Sequence, residues 1–349
     1  MGTKLNKNKT NIRNFEFIKE LTYDSRTLDE TPLDNTYTVF NSYDDILYLV
    51  YSNIVSSIIL YNLIDYKKIN EIKNAHMRNI NCLRYYQDKK NKRDIIMSVS
   101  GPDCNIKLWN IQNLECIVDI KKINKYSSLF SACFLIDNNQ IYIISSHCCI
   151  ELDYLYSLKE NDSIKVFDIN GKKIKEMNNS KEKTYFIDSY YDNNLKKHFI
   201  ITGNNGFSMS FDFDNNEIYH KYSDNDCQNH ISIIIKNDEK NVKLIESSLD
   251  GNIRIWDFHS AKLLKKIRAN KDWIFSICLW DDKYLIVTFY EGILKILDLD
   301  NGIFIKKKLE THKCKSLINI KKIFHPEFGE CLISQGSNFN QIKLWGCIK

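Results

Sequence analysis

The 349-residue sequence is poor in the residues that punctuate loops, with 3 prolines and 11 glycines. This excludes a collagen-like repeat and argues against long linkers of the proline- or glycine-rich kind. No run reaches the roughly 18 uninterrupted apolar residues that a membrane span needs, and no apolar signal segment precedes the cysteines. Charge of one sign never accumulates. The 49 Lys and Arg are spread among 44 Asp and Glu, and the formal net charge of +5 is too dispersed to predict affinity for nucleic acid or a membrane surface. Catalytic signatures are missing too: there is no HExxH, no Walker loop, no GxGxxG and no GxSxG, since Gly206-Phe207-Ser208-Met209-Ser210 lacks the final glycine. The 11 cysteines are an odd number without a CxxC pair. Reduced thiols fit that usage, so an intracellular, cytoplasmic location is expected.

What the chain has is a recurrent pattern, in a sequence whose hydrophobic fraction of 43% is that of a folded globule. Its clearest copy is Ser247–Phe258, SSLDGNIRIWDF. Asp250-Gly251 offers the positive backbone dihedrals of a two-residue hairpin turn. Ile253, Ile255 and Trp256 then give a short β-prone strand that ends in a large aromatic beside an acid. Weaker copies close on Tyr61-Asn62, Trp109-Asn110, Phe167-Asp168, Phe211-Asp212, Leu297-Asp298 and Trp345-Gly346, so that successive closings are 48, 58, 44, 45, 41 and 48 residues apart. These spacings fit a four-stranded unit of about 40–45 residues with loop insertions. A helical repeat would need apolar residues three and four apart over a dozen positions, and that period is missing.

The pattern resembles the WD40-repeat family, whose fold is the β-propeller, over nearly the whole chain from Thr36 to Trp345. The resemblance implies an all-β, seven-bladed propeller of four-stranded antiparallel blades. The expected blades are 36–74, 75–122, 123–178, 179–223, 224–268, 269–308 and 309–349, in one domain (14–349) after a disordered basic tail, 1–13. It also implies that an early His, an Asp in the tight turn and the Trp of the third strand lock each blade by hydrogen bonds. The residues in those places are His76, Asp103 and Trp109 in the second repeat, Asp250 and Trp256 in the fifth, and His312 and Trp345 in the seventh. There are departures. Cys104 follows Asp103, Asp226 stands near the expected His of the fifth repeat, and the seventh lacks a clear turn Asp. The sixth has Asn270 and Leu297, and the third and fourth carry Phe167 and Phe211. Only Gly346–Lys349 follow Trp345, too few for a fourth strand. The alternating segment Asn14–Tyr23, NFEFIKELTY, is available to complete the last blade and seal the ring.

No catalytic, cofactor or metal residue is nominated. Asp298 and Asp300 before Asn301-Gly302 have the wrong spacing for an EF-hand and read as a hairpin turn. His147-Cys148-Cys149 is a compact set of soft ligands that reads as a strand end. His76 and His312 have no partnered nucleophile in view. Interaction residues are expected on the rim face that carries the loops leading into each first strand. They are Trp273 with Asp272, Arg78 and Phe186 at counterpart positions, and Tyr154, Leu155 and Tyr156 in the insertion Cys149–Asp162. The inner strands Leu129–Phe134, Ile231–Ile235 and Ile274–Cys278 are mostly apolar, which disfavours a site in the central channel. No Arg-Arg pair suggests lipid reading. The expected function is a non-catalytic, cofactor-free scaffold, monomeric by itself, that presents rim loops to other proteins. The alternatives are a phosphoinositide- or nucleic-acid-associated propeller, or a small-ligand binder using the channel.

Overall fold

The computed structural model describes residues 12–22, 37–53, 55–101, 103–121, 123, 127–146, 148–149, 163–178, 184–224, 230–238, 241–271, 273–290, 292–310, 317–336 and 341–347. Among these, Ile-, Val- and aromatic-rich segments pair into seven four-stranded antiparallel sheets, the blades of a β-propeller. The first blade comprises Tyr37–Asn41, Leu47–Ser52, Ile58–Asn62 and Lys67–Ile72, hydrogen-bonded in chain order from the channel outward. The next five repeat that order, and their inner strands are Ile80–Asp88, Ala132–Asp137, Thr184–Asp192, His230–Asp238 and Ile274–Leu279. Each inner strand touches that of the next blade, and the first also touches Leu317–His325 of the seventh, which closes the circle. A small extra pair, Ser127–Ser128 with Cys148–Cys149, flanks the third blade.

The core lies between blades. Successive sheets bury their faces against each other, as where the rings of Phe40 and Tyr85 stack between blades one and two. Between blades seven and one, Tyr37, Leu49, Ile333 and Leu344 share a cluster, and the Tyr37 hydroxyl donates to the Ile333 carbonyl at 3.1 Å. Each such Leu or Ile contributes about 1.5–3 kcal/mol by burial, so no blade is self-sufficient.

The seventh blade is composite. Its order is Phe15–Thr22, Gln341–Cys347, Gly329–Gly336 and Leu317–His325, with Phe17 opposite Trp345 and Leu21 opposite Ile342. Ile12–Asn14 form a single 3-10 turn, and Ile12 is buried with Phe15, Trp280 and Trp345. Ile12 therefore already belongs to the packed body, ahead of the expected boundary at Asn14.

All seven closing residues fall on third strands. Two irregularities recur. In the first six blades the pairing of third with fourth strand slips at the closing residue. In blades two, four, five, six and seven the inner strand carries a one-residue bulge near its start. The tight turn differs from expectation at Asp250-Gly251: only Gly251 has a positive φ, 76°. Asp250 serves by its carboxylate instead, which accepts from the Asn252 backbone N–H and side-chain amide, both at 2.9 Å. Cys104 takes the equivalent place after Asp103 with φ 53°, so Asp-Cys replaces Asp-Gly without a change of turn.

Candidate functional site

The blade-locking set is complete in the second blade. The buried His76 sits in the loop that leads into the inner strand, Ser98 on the second strand and Trp109 on the third. Trp109 Nε1 donates to Ser98 Oγ at 2.8 Å, and Ser98 Oγ lies 2.8 Å from His76 Nε2. Because the indole supplies its own proton, the Ser98 hydroxyl is free to donate to the imidazole. Burial, with Lys107 nearby, pushes His76 down to about 4, so it is neutral near pH 7. Asp103 accepts from the Met77 and Arg78 N–H groups at 2.8 and 3.1 Å, which ties the same loop to the turn. This arrangement braces the loop backbone to the second and third strands, with the Ser98 hydroxyl fully buried between the indole and the imidazole.

The same position on the second strand is reused. In the seventh blade Trp345 Nε1 donates to Ser334 Oγ at 2.8 Å. In the fifth, Glu246 replaces the serine: Trp256 Nε1 donates to its Oε1 at 2.8 Å, while Ser208 of blade four donates to its Oε2 at 2.6 Å. Asp250 bonds the fully buried Arg254, which also reaches Asp224 at 2.9 Å.

On the rim, Trp273 is 51% exposed and meets Phe275 and Tyr290 edge-on, at centroid distances of 6.3 and 6.4 Å. The Tyr290 N–H donates to the Trp273 carbonyl at 3.2 Å, which fixes the loop under the ring. Arg78 and Met77 are exposed on the same face, in the loop leading into blade two. Phe186 is not exposed. The bulge at Thr184/Phe186 turns it inward, and at 7% exposure it packs with Phe199 and Ile201. Asp272, His312, His147, Tyr154, Leu155 and Tyr156 lie outside the described residues. Asp298 caps a turn, accepting from the Asp300 and Asn301 N–H groups at 3.0 and 3.2 Å. Among the described residues, no group of His, Cys, Asp or Glu is arranged to hold a metal ion, and no helix is long and apolar enough to cross a membrane.

No family model matches the chain, and neither does any curated protein.

One set of residues escaped the sequence reading. Pairing through the second and third strands aligns the seven inner strands, and the position one residue before the level of the closing aromatic carries Thr38, Arg84, Cys133, Asp188, Ile234, Cys278 and Lys321. Three of the seven are charged. Arg84 of blade two, Asp188 of blade four and Lys321 of blade seven lie at one level on the innermost strands, which line the channel, and Lys321 feels the charges of the other two. This level of the channel wall is therefore not mainly apolar. The expectation rested on strands of blades three, five and six, which supply three of the four uncharged members.

Proposed function

We propose that this chain is a WD40-type propeller acting as a non-catalytic scaffold for partner proteins, bound on the rim face that carries the loops leading into the inner strands. The observation that carries this reading is the Trp273–Phe275–Tyr290 cluster. A half-exposed indole braced by two rings and a backbone hydrogen bond costs little entropy to hold in a bound state, and aromatic anchors supply most of the binding energy at interfaces. The WD40 assignment rests on the His76–Ser98–Trp109 set with Asp103 at the turn, and on its partial copies at Trp345 and Trp256.

The test compares the proteins that co-purify with the intact chain, with Trp273→Ala, and with Phe324→Ala, which removes a 64% exposed ring from an inner-strand turn on the opposite face. Proteins lost with the first variant and kept with the second support the reading. An identical set in all three samples rejects the rim as the binding face.

A further inference from the structure

The channel level just described holds an unbalanced group of charges. The register puts Arg84 and Lys321 at the same level as one carboxylate, Asp188. Lys321 Nζ donates to Thr38 Oγ1 of the adjacent blade at 3.2 Å. Asp188 accepts, through Oδ1, from the Ser189 N–H at 2.9 Å. The Arg84 guanidinium makes no hydrogen bond or ion pair among the described residues. A half-buried guanidinium left without an acceptor among the described residues is an unfilled anion site, since its planar fork is shaped for two oxygens at once. Arg84, Cys278 and Lys321 are half-buried and Asp188 is exposed, so this level of the channel is open to solvent.

Burial, with Arg84 next in weight, pulls Lys321 down to about 8. Burial also opposes the Arg84 charge, and Cys82, Asp188 and Cys133 outweigh that opposition and hold its pKa above the ordinary value. An added anion between the two cations would relieve their mutual repulsion. Asp188 sets a further condition, because a carboxylate repels a fully ionised oxyanion and accepts a hydrogen bond from one that still carries a proton.

We propose that the channel binds a small protonated oxyanion of the phosphate type, held by Arg84 and Lys321 and selected by its O–H against Asp188. Inorganic phosphate keeps a proton near neutral pH, whereas sulfate has none. The site then discriminates two ions of nearly equal size and geometry.

Isothermal titration of the purified chain with inorganic phosphate and with sulfate tests this, with a melting curve for every variant. Phosphate is expected to bind at least tenfold tighter than sulfate. Arg84→Gln should abolish phosphate binding, while Lys172→Gln, at an exposed cation between the outer strands of blade three, leaves it unchanged. Asp188→Asn should tighten sulfate to within a fewfold of phosphate, a gain of binding that a misfolded variant cannot produce. The proposal is overturned if neither ion binds, if sulfate equals phosphate in the unmodified chain, if a folded Arg84→Gln binds as before, or if Asp188→Asn leaves the preference intact.

Discussion

Phe15, the first residue of the amino-terminal strand, lies parallel to Trp345 on the last third strand, with centroids 6.5 Å apart and ring planes 8° apart. Its edge also meets Trp280 of the sixth blade at 5.3 Å. One fully buried ring thus joins the strand that completes blade seven to both blade seven and blade six.

Phe15→Ala should therefore destabilise by about 3–5 kcal/mol, the cost of a large buried cavity. Deleting 1–22 should cost more, because it also bares the edge of Gln341–Cys347. Urea unfolding measures both. A Phe15→Ala midpoint close to that of the intact chain would mean that closure relies on other contacts.

His76 links stability to pH. Its folded pKa, about 4, lies below the ordinary value of 6.5. Between those values the unfolded chain binds the extra proton, so stability rises with pH through this window and falls on acidification. The loss from this group by about pH 4 is at most about 3 kcal/mol. His76→Gln should be less stable than the parent near neutrality, and the difference should shrink on going to about pH 5. Parallel curves for the two proteins would reject the linkage.

Arg254 is completely buried against Asp250, Asp224 and Ser248. Arg254→Met leaves two carboxylates without that cation and should cost about 3–5 kcal/mol. Asp250 is opposed by burial but held down to about 2, chiefly by Arg254. Its contribution is present above the usual carboxylate pKa and is lost as pH falls through about 2. In the variant, acid unfolding should begin at higher pH, as followed by tryptophan fluorescence.

Lys321 has the opposite standing. With a folded pKa near 8 against an ordinary 10.5, its charge is a burden in the folded state at neutral pH, and stability from this group rises between those values as pH increases. Lys321→Met should stabilise by about 1–2 kcal/mol near neutrality, after allowance for water in the channel. Guanidinium unfolding at two pH values checks it. A variant equally stabilised at about pH 7 and about pH 10 would show that the gain is not electrostatic.

The closing dipeptides made the fold legible, because an aromatic or Leu with an Asn or Asp neighbour ends the third strand of the first six blades, even where His and turn Asp are replaced. Phe167, Phe211 and Leu297 keep the apolar bulk that blade packing needs although they cannot donate the Trp hydrogen bond. The channel level was not legible. Each blade supplies one residue of it, about 45 positions from the next, and no local pattern marks it. The bulges at Ile80/Cys82, Thr184/Phe186 and Leu317/Asn319 compound the difficulty, since one inserted residue reverses which side chains face a given side. Matching positions between repeats therefore put Phe186 on the rim as a counterpart of Trp273, and the sequence reading gave no weight to Arg84, Asp188 and Lys321.

The glycine of the last closing dipeptide follows from the same composite blade. Where the other endings carry Asn or Asp, a Cβ on Gly346 would come 2.8 Å from Ile18 Cδ1 and 3.4 Å from the Glu330 carbonyl oxygen. Ile18 is the residue bulged out between Phe17 and Lys19, and its side chain lies over the backbone at Gly346. Gly346→Asp, which restores the repeat's Trp-Asp ending, should thus destabilise by about 1–3 kcal/mol through crowding. The Ile18 side chain can be shortened without touching the strand pairing, so Gly346→Asp should cost less in an Ile18→Ala background. A double-mutant cycle on unfolding free energies reads that coupling. Strictly additive effects would place the requirement for glycine in the Glu330 carbonyl contact and not in the borrowed strand.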